Sequence, residues 1–87
     1  MPDVSYTDDD LRRLSWQCRR GIKEVEVLLV PFFERYFQGL EPADQATFVQ
    51  LLEQQDVELF EWFTQRSKSE NADYQAMVEL ILARLAA

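Results

Sequence analysis

The sequence predicts an all-α fold: a single small bundle of about five short helices. Three observations lead there. The 87 residues include only two Gly and three Pro, which suits helices joined by short turns and fits poorly with many β-hairpins. Apolar residues recur at spacings of three and four through most of the chain. Helix-start signals, a hydroxyl or proline followed by acids, punctuate it at intervals that leave room for short helices only. A chain of this length holds one domain, residues 1–87, with residues 1–7 expected to be a flexible N-terminal lead. Its core is thin, and two Trp, three Tyr and six Phe compensate for that.

The first helix starts at Thr7, a hydroxyl N-cap followed by Asp8, Asp9 and Asp10, acids that face the positive end of the helix dipole. Leu11, Leu14 and Cys18 give it one apolar stripe. Gly21 is expected to break or bend the path, because glycine costs about 1 kcal/mol relative to alanine inside a helix. From Ile22 to Phe37 the pattern is helical again, with Ile22, Val25, Leu29, Phe32 or Phe33, and Tyr36 on one broad face. Pro31 lies inside this run and predicts a kink near Val27 to Val30 rather than a stop. Gly39 reads as the C-cap. Pro42 takes the first position of a third helix, which runs to about Gln54 and turns Phe48, Leu51 and Leu52 inward. Asp56 reads as the cap of a fourth, where Val57, Leu59, Phe60, Trp62 and Phe63 form two apolar faces. The Trp62-Phe63 pair suits either the core or a dimer face. Ser67 to Asn71 is the most loop-like stretch, and a last helix spans about Ala72 to Ala86, with Tyr74, Met77 or Val78, Ile81 and Leu85 at the required intervals.

Charge and composition narrow the function. Nine basic residues against sixteen acidic give a net charge of −7, which disfavours phosphate backbones and anionic lipid as partners. The chain has no histidine and a single cysteine, Cys18, so the commonest general base, a structural zinc site and an internal disulfide are all absent from the reading. Cys18 sits on an apolar stripe, away from the exposed electropositive setting that a thiolate nucleophile needs. Carboxylate pairs such as Glu24 with Glu26 or Glu58 with Glu61 read as solvated helix faces. No catalytic residue is assigned and no enzyme activity is expected. The N-terminus has neither a signal-peptide nor a transit-peptide pattern, and the longest apolar run, Val27 to Phe33, is too short to span a bilayer. The expected location is a bacterial cytoplasm.

One segment departs from this pattern. Arg19, Arg20 and Lys23 concentrate positive charge just before the most apolar stretch of an acidic chain, with Gly21 between them and Glu24 four residues after Arg20. Arg20 and Glu24 suit an i,i+4 ion pair worth about 0.3–0.5 kcal/mol if the helix is continuous. They suit a docking site equally, since Gly21 permits close backbone approach, and Arg with an exposed aromatic (Trp16) is typical of interface hot spots. The residues alone leave both readings open.

The blocks Trp16-Gln17-Cys18-Arg19-Arg20-Gly21-Ile22-Lys23-Glu24-Val25-Glu26, Pro31-Phe32-Phe33-Glu34, Leu51-Leu52-Glu53 and Asp56-Val57-Glu58-Leu59-Phe60-Glu61-Trp62 resemble the bacterial succinate dehydrogenase flavinylation factors, relatives of the mitochondrial succinate dehydrogenase assembly factors. The likeness covers about residues 11 to 85. It implies a five-helix assembly factor that promotes covalent FAD attachment to the flavoprotein subunit of succinate dehydrogenase, and of the related fumarate reductase. By the same likeness, Arg20, Gly21 and Glu24 match the signature of the partner-binding surface, with Arg13, Trp16, Arg19, Ile22 and Lys23 around them. The FAD belongs to the partner; the chain is expected to hold no cofactor of its own and to act as a monomer. The competing expectation is an antitoxin-like regulatory protein that binds a partner protein, or an unspecialised helical adaptor.

Overall fold

Helix α1 (Asp8–Gln17) begins as its caps dictate. Thr7 Oγ1 accepts from the Asp10 N–H at 3.1 Å, and Asp10 Oδ2 accepts from the Thr7 N–H at 3.1 Å, a reciprocal capping box. Bonding to Thr7 holds the Asp10 carboxyl below its ordinary range, the Thr7 backbone N–H contributing most and its hydroxyl next. The computed structural model describes residues 6–86, so most of the expected N-terminal lead, residues 1–5, lies outside the described residues. Thr7 is fixed by its cap, and the Tyr6 ring packs edge-on against Phe37 at 5.2 Å.

After a non-helical connection over residues 18–22 comes α2 (Lys23–Tyr36), followed by a single 3₁₀ turn at Phe37–Gly39. Then follow α3 (Pro42–Leu52), α4 (Asp56–Phe63) and α5 (Ala72–Ala86). Helix α5 packs against α2, α3 and α4, while α2 also packs against α1 and α4. The radius of gyration, 12.4 Å, is close to the roughly 12 Å expected of one 87-residue domain. Among the described residues there is no strand, and no helix is long and apolar enough to cross a membrane.

The core is the set of stripes read from the sequence, brought together. Leu14, Cys18, Val25, Leu29, Phe32, Phe48, Leu51, Leu52, Leu59, Met77, Val78 and Ile81 are all buried in one cluster. Its densest part is aromatic. Phe48 lies 5.6 Å from Phe32, 5.5 Å from Phe37 and 6.2 Å from Phe33, ring centroid to centroid. Trp62 is half-buried against this core, and Phe63 is buried in it.

Four local expectations change. Gly39 is not a left-handed C-cap, since no glycine has a positive φ. Helix α2 ends instead at Phe37 in a right-handed conformation, and the Phe37 carbonyl is taken by the Leu40 N–H at 3.1 Å and by buried Gln45 Nε2 at 2.9 Å. With its carbonyl satisfied, the turn has no need of a left-handed residue. A left-handed residue does occur where α4 stops: Gln65, φ 64°, whose turn returns the Arg66 N–H to the Glu61 carbonyl at 2.9 Å. Helix α3 stops at Leu52, short of Gln54. Asp56 is not the cap of α4; Gln55 is the N-cap residue, and Asp56 is the first helical one. Val57 belongs to no apolar contact face, being 62% exposed. Helix α2 runs through Pro31 without a stop. The ring orphans the carbonyl of Val27, and Val27 is 60% exposed, so water is at hand to satisfy it.

Candidate functional site

The connection between α1 and α2 is where the anomalous charge falls. Arg20 does not pair with Glu24, because the helix is interrupted between them and i,i+4 facing is lost. Its guanidinium turns inward, with the side chain only 13% exposed. Nε donates to Asp56 Oδ1 at 2.6 Å, Nη1 to the carbonyls of Gln17 and Leu52 at 2.8 Å each, and Nη2 to the carbonyl of Gln54 at 2.6 Å. These carbonyls lie at the C-terminal ends of α1 and α3, where backbone acceptors lack helical partners and a cation is favoured. The same bonds explain why α3 ends early: Arg20 takes the Leu52 and Gln54 carbonyls as the chain turns. They also explain Asp56, whose charge-assisted bond to Arg20 is stronger than a neutral capping bond.

Both backbone N–H groups at the centre of the connection go to carboxylates. The Arg20 N–H donates to Glu26 Oε1 at 2.9 Å, and the Gly21 N–H to Asp56 Oδ2 at 3.1 Å. Gly21 is exposed, and a Cβ built on it would lie 3.4 Å from Asp56 Oδ2, in ordinary contact. Neither an unusual φ nor a steric clash therefore requires glycine at this position.

The remaining sequence-selected residues surround this lock. Lys23 and Glu24 are exposed in the first turn of α2, and Ile22 packs partly on the core. Lys23 Nζ lies 3.9 Å from Glu26, an exposed contact of little energetic weight. Among the described residues the Glu24 carboxylate has neither a hydrogen-bond nor an ion-pair partner. Trp16 is 68% exposed, with the Arg19 guanidinium 5.6 Å from its ring centroid, a cation–π contact worth about 0.5–1 kcal/mol at such a site. Arg13 stands apart, in a groove of about 280 Å³ between α1 and α3 lined also by Tyr6, Leu14, Gln17, Val49 and Glu53.

Sequence reasoning missed Asp56 as part of the site, along with Val27 and Val57. With Trp16, these two valines are the exposed large hydrophobics of the described residues. They sit next to the lock along the chain: Val57 follows Asp56, and Val27 is one turn beyond Glu24. Val27 was findable, since it falls off the Val25-Leu29-Phe32 stripe; Val57 reads instead into an apolar face with Leu59, Phe60, Trp62 and Phe63.

Cys18, the first residue of this connection, is fully buried. Burial is the main force pushing its thiol up to about 12, with Arg20 opposing weakly. At pH 8 roughly one molecule in ten thousand then carries a thiolate. An aromatic disulfide reagent is expected to leave the native protein unmodified and to react at once in denaturant. The unfolded thiol ionises near 8.5. Between there and about 12, the folded state keeps a proton that the unfolded state releases. Stability therefore falls as pH rises through this window, by up to about 1.4 kcal/mol per pH unit. Among the described residues no three acidic or cysteine side chains are placed to share a metal ion.

Over residues 12–85 the chain matches the family described as Flavinator of succinate dehydrogenase. The chain belongs to this family. The match takes in every residue of the connection and the acid of α4 that holds it. Within the flavinator family the chain is 47% identical over 78 residues to the FAD assembly factor SdhE of Pseudomonas aeruginosa, covering 90% of this chain and 93% of that protein. It is 44% identical to the FAD assembly factor SdhE of Vibrio parahaemolyticus, covering 90% of this chain and 91% of that one. A solution structure described as a UPF0350 protein is similar throughout, with a TM-score of 0.77 and 40% identity over 94% of this chain and 87% of that chain. The fold is thus shared with a relative of solved structure.

Proposed function

We propose that this protein is an assembly factor that promotes covalent attachment of FAD to the flavoprotein subunit of succinate dehydrogenase, and to that of fumarate reductase. Membership of the flavinator family supports the reaction. The observation that supports the surface is the α1–α2 connection: it is locked from behind, yet Gly21 and its flanking Trp16 and Glu24 face solvent, and the Glu24 carboxylate has no partner among the described residues. The protein donates no catalytic group. The flavoprotein's own histidine and FAD form the bond, and the factor holds that subunit in the competent arrangement. It acts as a cytoplasmic monomer and keeps no FAD itself. Gly21, Glu24, Lys23, Trp16 and Arg19 make contact; Arg20 and Ile22 support them from the protein side, and Arg13 lies at the edge.

Two substitutions test this by in-gel fluorescence of covalent flavin on the succinate dehydrogenase flavoprotein. Glu24→Ala is expected to slow flavin incorporation about tenfold, the loss of one contact worth about 1.4 kcal/mol. Its unfolding free energy should shift by less than about 0.5 kcal/mol, because the side chain is exposed. Gly21→Arg is expected to slow it further, since the new side chain covers the ridge beside Asp56 while the helices remain intact. Wild-type flavin loading by both variants would overturn the proposal, whether the true role is an antitoxin-like regulator or another adaptor.

A further inference from the structure

Asp56 binds two consecutive residues of the α1–α2 connection at once. Oδ1 accepts from Arg20 Nε at 2.6 Å and Oδ2 from the Gly21 N–H at 3.1 Å. One carboxylate therefore fixes the side chain of one residue and the backbone of the next. Glu26 adds the third tether by accepting from the Arg20 N–H at 2.9 Å. Among the described residues no backbone carbonyl is bonded to either N–H, so the centre of the connection is held by side chains rather than by helical bonds. A glycine-containing link without these tethers samples many conformations, and ordering it on docking costs affinity. The same link sets how α1, carrying Trp16, stands relative to α2, carrying Glu24.

We infer that Asp56 is a positioning residue for the partner-docking ridge: with Arg20 it preorganises Gly21 and Glu24, and neither Asp56 nor the Arg20 guanidinium needs to touch the flavoprotein. This rests on the docking role proposed above for the same ridge. It assigns the first residue of α4 a part in recognition that its place in the chain does not suggest. It also changes the role of Arg20, four of whose five donors are occupied within the protein.

The test uses the full chain, with the flavoprotein subunit of succinate dehydrogenase as the binding probe. Asp56→Asn removes the charge and one of the two matched acceptors. At a temperature where circular dichroism shows the variant fully folded, the Gly21 amide proton is expected to exchange at least about tenfold faster, and affinity for the flavoprotein to fall about tenfold. Asp56→Glu, which restores a carboxylate, is expected to recover part of both. A purely structural role would lower the melting temperature and leave the affinity of the folded protein unchanged. Wild-type affinity in Asp56→Asn with a released Gly21 amide would therefore overturn the inference. Glu24→Ala, measured alongside, separates the two ideas. If it weakens binding and Asp56→Asn does not, preorganisation fails alone; if neither weakens binding, the docking surface fails with it. Should Asp56→Asn not fold, Arg20→Lys, which keeps the charge but loses the planar fork, is read by the same two measurements and outcomes.

Discussion

Replacing Arg20 by alanine is expected to destabilise the fold by about 2–3 kcal/mol, besides impairing flavinylation. The guanidinium is nearly buried and serves four acceptors from three places in the chain. Its loss leaves the carbonyls of Leu52 and Gln54 without this donor and the Asp56 carboxylate without its cation in a partly closed setting. The figure lies below the 3–5 kcal/mol typical of a broken buried pair, because Asp56 remains 31% exposed and water reaches it. In a domain of this size the loss corresponds to roughly 10–20 °C in melting temperature, which thermal unfolding followed by circular dichroism will show. Arg20→Lys is expected to recover only part of it, since a single ammonium cannot reach acceptors spread around a planar fork. An arginine that served only to dock a partner would leave the melting temperature where it was.

The second large effect is expected at Phe48. Its ring is fully buried among Phe32, Phe33 and Phe37, where α2, the 3₁₀ turn and α3 meet. Phe48→Ala is expected to cost about 3–5 kcal/mol, transfer and cavity terms together. Small domains have about 5–15 kcal/mol in total, so the variant should be largely unfolded well below the wild-type midpoint. Denaturant titration measures this directly. Trp16→Ala is the useful contrast. It removes a larger aromatic, but one that is 68% exposed, so stability should change by less than about 0.5 kcal/mol while flavoprotein binding weakens. The pair separates aromatics that hold the bundle from one available to a partner.

These outcomes bear on how far the chain could be read without coordinates. The helices and their inward faces were legible because each depends on spacing within a dozen residues. Leu14 with Cys18, Val25 with Leu29 and Phe32, and Met77 with Ile81 are buried as their periodicity requires. The start of α1 at Thr7 and of α3 at Pro42 followed from local chemistry in the same way. The ends were read less well. Gly39 and Asp56 carry familiar cap identities, yet the Phe37 carbonyl near Gly39 is met by Gln45 and a tightened turn, and the Asp56 carboxylate goes to Arg20 and the Gly21 N–H instead of capping α4. A helix end takes whichever partner the tertiary fold brings, and sequence adjacency cannot rank them.

The candidate site divides along the same line. Its position was legible, since Arg19, Arg20 and Lys23 around a glycine stand out in an acidic chain, and the break at Gly21 was expected on propensity alone. The direction in which Arg20 points was not. A local reading offers Glu24, four residues away, whereas the actual partner is Asp56, 36 residues away. Sequence by itself determined an all-α bundle, its core stripes and the segment proposed for recognition, because these follow from short-range periodicity and composition. Only the tertiary structure decided which members of that segment face inward and which face solvent. That choice depends on long-range charge pairing and on carbonyls exposed at the ends of α1 and α3, and these come together only once the helices have packed.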